Sequence, residues 1–154
     1  DEPFISGMMI DQAIAPLLFD EDVNVSTLAK LIESVEELKS PSVVKVVFDY
    51  KNFALYFSRS PIPFVRDAEN DKEMFEKADI YKHIGLYVYR KEYLLKFTQL
   101  APTDLEQWEK LEQLRMLENG FKIKIVETEY DSFSVDTPED LEKARRIYSK
   151  LKKN

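Results

Sequence analysis

Several positions carry side chains suited to chemistry as well as to packing. Asp136 follows the segment DSFSV and stands immediately before Thr137-Pro138, the N-cap and first-turn signature of a closing helix. Its carboxylate therefore belongs at the carboxyl end of a strand beside a positive helix terminus, the edge at which open α/β sheets bind ligands. Helix capping is the plain alternative. Arg59 ends the run FALYFS, where a planar fork of donors suits a carboxylate and where a solvated surface charge is the plain alternative. His83 shares a strand face with Gly85, Tyr87 and Tyr89, and the missing side chain at Gly85 lets a ligand lie against the backbone. A hydrogen-bonded structural histidine fits the same position. Glu112 and Gln113 fall at the boundary of the apolar stripe in TDLEQWEKLEQLR, whose Leu105, Trp108, Leu111 and Leu114 read as core.

Much chemistry is excluded. A single histidine rules out HExxH and three-histidine zinc sites, and the absence of cysteine removes thiol nucleophiles, thiolate metal sites and disulfides. Glycine occurs only at 7, 85 and 120, which cannot form a GxGxxG or GxxxxGK phosphate cradle. With 22 basic against 29 acidic residues the net charge is −7, so nucleic acid is not an expected partner and any anionic ligand must be drawn by local groups. No apolar run reaches the roughly 18 residues of a membrane span, and the composition suits a cytoplasmic protein.

The elements that must position these residues follow from pattern. Asp11 is expected to cap a short helix, and Val23 to Leu31 alternates as a half-buried strand. SVEE (34–37) is a capping box for a helix ending before Pro41. SVVKVVF and FALYFS, joined by DYKN, read as a hairpin in which Phe53, Leu55 and Phe57 share one face. From Pro61 to Tyr81 the prolines and charges give no period, and a long surface excursion is expected. HIGLYVY (83–89) is a strand and KEYLLKF a short helix. Thr103 and Glu106 form a capping box for a helix running to about Glu118, with Glu106 and Lys110 paired one turn apart and Asn119-Gly120 as its left-handed stop. FKIKIVE is a strand. Thr137 and Pro138 open a last helix with Leu141, Ala144, Ile147 and Leu151 as its buried stripe. Together these give one α/β domain over 1–154, with a mixed, mostly parallel sheet, flanking helices and an antiparallel hairpin region.

Taken together, DEPFI (1–5), SPSVVKVVFD (40–49), ALYFSRSPIP (54–63), KHIGLYVYR (82–90), LEQWEKLEQLRMLENG (105–120) and VDTPEDLEKAR (135–145) resemble the CMP-Kdo synthetases, the 3-deoxy-manno-octulosonate cytidylyltransferases, in the family's own order. The resemblance implies a nucleotide-diphospho-sugar transferase-like fold and transfer of CMP from CTP to Kdo with release of pyrophosphate, for lipopolysaccharide assembly. It implies Asp1 and Asp136 as catalytic ligands of Mg²⁺. Arg59 is implied opposite the sugar carboxylate, with His83, Glu112 and Gln113 at the hydroxyls and Glu109, one turn back, as the alternative to Glu112. A homodimer is implied as well. The family's DEP segment lies mid-chain, so DEPFISG suggests that the nucleotide-binding N-terminal half is missing and that these 154 residues do not turn over alone. An α-ammonium beside Asp1, largely protonated at neutral pH, would also spoil a cation site. Two other readings stay open: a non-catalytic dimerisation or sugar-acid-binding module, and an acylneuraminate cytidylyltransferase.

Overall fold

The computed structural model describes residues 3–132, 135 and 138–151. Helix α1 (Gly7–Phe19) starts at Ser6, whose hydroxyl accepts from the Met9 N–H at 3.3 Å, and Asp11 lies inside it rather than capping it. Met9, Ala13 and Leu17, four residues apart, form the buried stripe. Arg90 closes the far end, donating to the carbonyls of Leu17, Asp20 and Val23.

Strand β1 (Val25–Leu31) is buried from Val25 through Lys30, so the expected half-exposure is not found. Leu28 faces α1, while Val25 and Ala29 face a second cluster containing Val46, Phe57, Leu114 and Ile125. Helix α2 (Val35–Lys39) is capped by the Ser34 hydroxyl, and Glu37 reaches one residue further back than expected, to the Glu33 N–H. Strands β2 (Lys45–Phe48) and β3 (Ala54–Ser58) form the expected hairpin. A bulge between Val47 and Phe48 leaves Leu55 outside the pairing, which is why Leu55 is exposed and does not join Phe57 in the core.

The 61–81 stretch is not wholly irregular. Asn70 caps α3 (Asp71–Lys77), and its Met74 joins Ile32, Leu38 and Ile80 in a small satellite core with α2. One buried methionine among charges leaves too little apolar pattern to read in advance.

Strand β4 (Tyr81–Tyr89) is followed by α4 (Lys91–Phe97). The expected single helix from Thr103 to Glu118 is two, α5 (Asp104–Glu109) and α6 (Gln113–Glu118), broken where Lys110 takes the left-handed conformation (φ 55°, ψ 46°). The break leaves Trp108 exposed rather than in the core and replaces the expected Glu106–Lys110 pair by Glu106 with Arg115, two-pronged and nearly buried. Gly120 (φ 77°) ends α6: its N–H bonds the Leu117 carbonyl and the Phe121 N–H the Met116 carbonyl.

Strand β5 (Lys124–Glu127) pairs parallel with β1, and α7 (Pro138–Leu151) closes the chain. Of its expected stripe Ala144 is buried, but Leu141 and Ile147 are about 40% exposed, and Thr137 lies outside the described residues.

The sheet order is β3-β2-β4-β1-β5. Mixed α/β architecture is as expected, but among the described residues three of the four pairings are antiparallel and only β1–β5 is parallel, which corrects the mostly parallel sheet. The cause is β4, which returns from the 59–80 segment between β2 and β1 and runs against both. It pairs with β1 along its length but with β2 only at Tyr81 and Lys82, plus a His83 N–H to Val44 carbonyl bond of 2.8 Å. Beyond His83 its outer edge meets no strand among the described residues.

Candidate functional site

A cleft of about 290 Å³ lies on the face of β4 opposite α1. His83, Gly85, Tyr87 and Tyr89 form its floor, as period two requires, and Phe97, Lys110, Glu112, Gln113 and Met116 form one wall with Val44 at the edge.

A two-residue bulge shapes the floor. Thr27 pairs with Tyr87 and Leu28 with Ile84, so Gly85 and Leu86 have no partner in β1. The Thr27 hydroxyl spans the gap, 2.8 Å from the Leu86 carbonyl and 3.2 Å from that of Ile84, and Nε2 of His83 lies 3.0 Å from the same oxygen. A hydroxyl has one proton. With that proton given to a carbonyl, Nε2–H must donate to Thr27, which assigns the tautomer and leaves Nδ1 as a hydrogen-bond acceptor. Phe57 and Tyr87 pack against the ring at 5.1 and 5.3 Å, and burial pushes its pKa down to about 3. His83 is therefore a neutral acceptor at physiological pH.

The Tyr87 hydroxyl is buried and makes no well-formed hydrogen bond, although the Thr27 side chain interacts with it, and burial raises its pKa well above the usual value. An orphaned buried hydroxyl costs roughly 1–3 kcal/mol, and a ligand is one way to satisfy it. Tyr89, held up at about 12 by burial and then by the Glu112 carboxylate, stacks between Tyr87 and Phe97 at 5.8 and 6.3 Å.

Glu112 and Gln113 reach the cleft because of the left-handed turn at Lys110, which re-aims the chain just before them. Glu109 does not line the cleft. Its carboxylate accepts from Ser58 Oγ at 2.7 Å, Tyr56 Oη at 3.4 Å and the Arg59 N–H at 2.9 Å. Burial pushes its pKa up, but these three donors outweigh that and hold it below the usual range.

Arg59 sits at the rim. Its guanidinium donates to the carbonyls of Glu109 (2.6 Å), Pro41 (2.8 Å) and Lys110 (3.4 Å), the last belonging to a residue of the cleft wall. Three of five N–H groups are thereby used, leaving one on each of Nη1 and Nη2.

The structure thus gathers His83, Glu112 and Gln113 in one cleft with Arg59 beside it. Asp1 and Asp136 lie outside the described residues. Among the described residues no cluster of three or more acidic or histidine side chains could hold a metal ion. Sequence reasoning passed over Lys45, although a lysine inside SVVKVVF is itself a signal: a charge in an apolar strand needs a partner.

The cytidylyltransferase family model matches residues 1–125. A protein of Geotalea uraniireducens named 3-deoxy-manno-octulosonate cytidylyltransferase is 54% identical, covering 99% of this chain and 61% of its own. One of the same name from Thermodesulfovibrio yellowstonii is 53% identical over 95% of this chain and 56% of its own. A solved structure of CMP:2-keto-3-deoxy-manno-octonic acid synthetase complexed with CTP superposes with a TM-score of 0.85 at 39% identity, covering 98% of this chain and 59% of that one. The chain spans about 60% of the length of the relatives it matches.

Proposed function

The chain belongs to the cytidylyltransferase family, and from that premise we propose that the protein of which these residues form part transfers CMP from CTP to Kdo for lipopolysaccharide assembly in the cytoplasm. The observation that carries this is a cleft holding a neutral histidine, Glu112 and Gln113 beside a guanidinium with two unused N–H groups, a donor and acceptor set suited to a polyhydroxylated acid.

In the reaction the anomeric hydroxyl of the sugar attacks the α-phosphorus of CTP in line, the new P–O bond forms, the bond to pyrophosphate breaks and the hydroxyl proton is released. Arg59 holds the sugar carboxylate. Nδ1 of His83 accepts a hydrogen bond from one hydroxyl, and Glu112 and Gln113 take others, fixing which hydroxyl faces the phosphate. Asp1 and Asp136 are hard oxygen donors, the kind of which Mg²⁺ takes one or two alongside phosphates. Magnesium held by these two residues would supply charge neutralisation on the phosphates.

Residues 1–154 act in this reading as the C-terminal part of a larger domain, a view supported by the open outer edge of β4 beyond His83. The protein is taken to be a homodimer.

Pyrophosphate release by the full-length protein, requiring CTP, Kdo and Mg²⁺ together, is the expected result; no release removes the reading. Substituting sialic acid for Kdo should stop it, and activity with sialic acid alone would point to an acylneuraminate cytidylyltransferase. Asp136→Asn should abolish turnover with thermal unfolding unchanged, and retained activity would return Asp136 to helix capping. The 154 residues by themselves should bind CTP weakly; tight binding by calorimetry would contradict the division of labour.

A further inference from the structure

We propose that Lys45 and Glu109 are positioning residues for Arg59, an ammonium that donates to its carbonyl and a carboxylate that accepts from its N–H, so that the guanidinium meets the sugar carboxylate already aligned. This rests on the function proposed above and extends it to two residues that do not line the cleft.

Lys45 is completely buried, yet its ammonium spends all three donors: on Ser40 O at 3.0 Å, Val43 O at 2.7 Å and Arg59 O at 2.6 Å. Glu109 holds the other side of the same residue, accepting from the Arg59 N–H at 2.9 Å while Ser58 and Tyr56 orient the carboxylate. Packing alone does not call for this. A buried ammonium is costly to desolvate, and among the described residues no carboxylate lies within 4 Å of it to form an ion pair. Burial, followed by the charge of Arg59, pushes the Lys45 pKa down.

The geometry explains what the charge does. Ser40 to Val43 is the exit from α2, and it carries Pro41, whose carbonyl supports Nη1 of Arg59 at 2.8 Å. The next residue, Val44, is at the cleft edge. One ammonium therefore fixes both the main chain of Arg59 and the segment on which its side chain rests. Glu109 does the same on the opposite side, since its own carbonyl accepts from Nε of Arg59 at 2.6 Å.

The test uses the full-length enzyme with Lys45→Met and Glu109→Gln, each alone and combined with Arg59→Ala, measuring KM for Kdo and for CTP separately. Each single substitution should raise KM for Kdo about tenfold, leave KM for CTP within about twofold, and add little further loss in the Arg59→Ala background. Equal rises in both KM values, unchanged kinetics, or losses that multiply with Arg59→Ala would each overturn the proposal. If Lys45→Met fails to fold, Glu109→Gln, which preserves volume, carries the test alone. A wild-type enzyme inactive with CTP and Kdo removes the functional reading and this inference with it; an active wild type whose variants keep its kinetics removes only the inference.

Discussion

Two side chains on the floor of the cleft are expected to behave oppositely in stability and in binding. Tyr87→Phe deletes a buried hydroxyl that makes no well-formed hydrogen bond, so the free protein should gain up to about 1 kcal/mol in chemical denaturation, while KM for Kdo rises in the full-length enzyme. A loss of stability would mean that the hydroxyl is already satisfied. His83 has its pKa depressed in the folded state to about 3 from 6.5. Below about pH 6.5 the unfolded chain gains a proton that the folded chain refuses, so this residue's contribution is fully present above that pH and is lost progressively towards 3. His83→Gln should flatten the fall in unfolding midpoint between about pH 6.5 and 4 relative to the wild type. An identical pH profile would show the imidazole titrating normally in the fold. His83, Glu112 and Gln113 line one cleft with Arg59 beside it, a grouping that the family resemblance implied and that strand period alone gave only for His83 with Gly85, Tyr87 and Tyr89. The tautomer of His83 was not legible in the sequence, because it depends on Thr27 across a bulge 56 residues away in sequence.

Element ends were legible where a short-range hydrogen bond decides them. Ser34, Asn119-Gly120 and the short helix KEYLLKF all follow from signals within four residues. Long-range competition decided the rest. The capping box at Thr103 starts its helix as read, with its N–H 3.2 Å from Glu106 Oε2, but the contact of Arg115 with that same carboxylate favours folding α6 back on α5. The cost falls on Lys110, held left-handed at φ 55°. Lys110→Gly should therefore raise stability by about 0.5–1 kcal/mol in urea unfolding. Gly120→Ala should lower it by about 1 kcal/mol through strain at φ 77° alone, since open space surrounds the added methyl. If Lys110→Gly destabilises, the turn is not strained.

For the molecule as a whole, class was readable from the alternation of strands and helices, but strand direction was not, since it depends on where β4 inserts. Apolar side chains left on the surface, Leu18 and Phe19 on α1 and Leu94 and Leu95 on α4, are compatible with further contacts in an assembled protein. Light scattering on the full-length protein should give twice the monomer mass; a mass independent of concentration and equal to one chain would exclude the dimer. The bare flank of β4 past His83 has a practical consequence for anyone preparing this polypeptide by itself. Among the described residues no strand covers this tyrosine-rich edge, so it can act as a template for a neighbour's main chain, an association that mutual repulsion from a charge of −7 opposes. Adding salt should then promote, not prevent, precipitation.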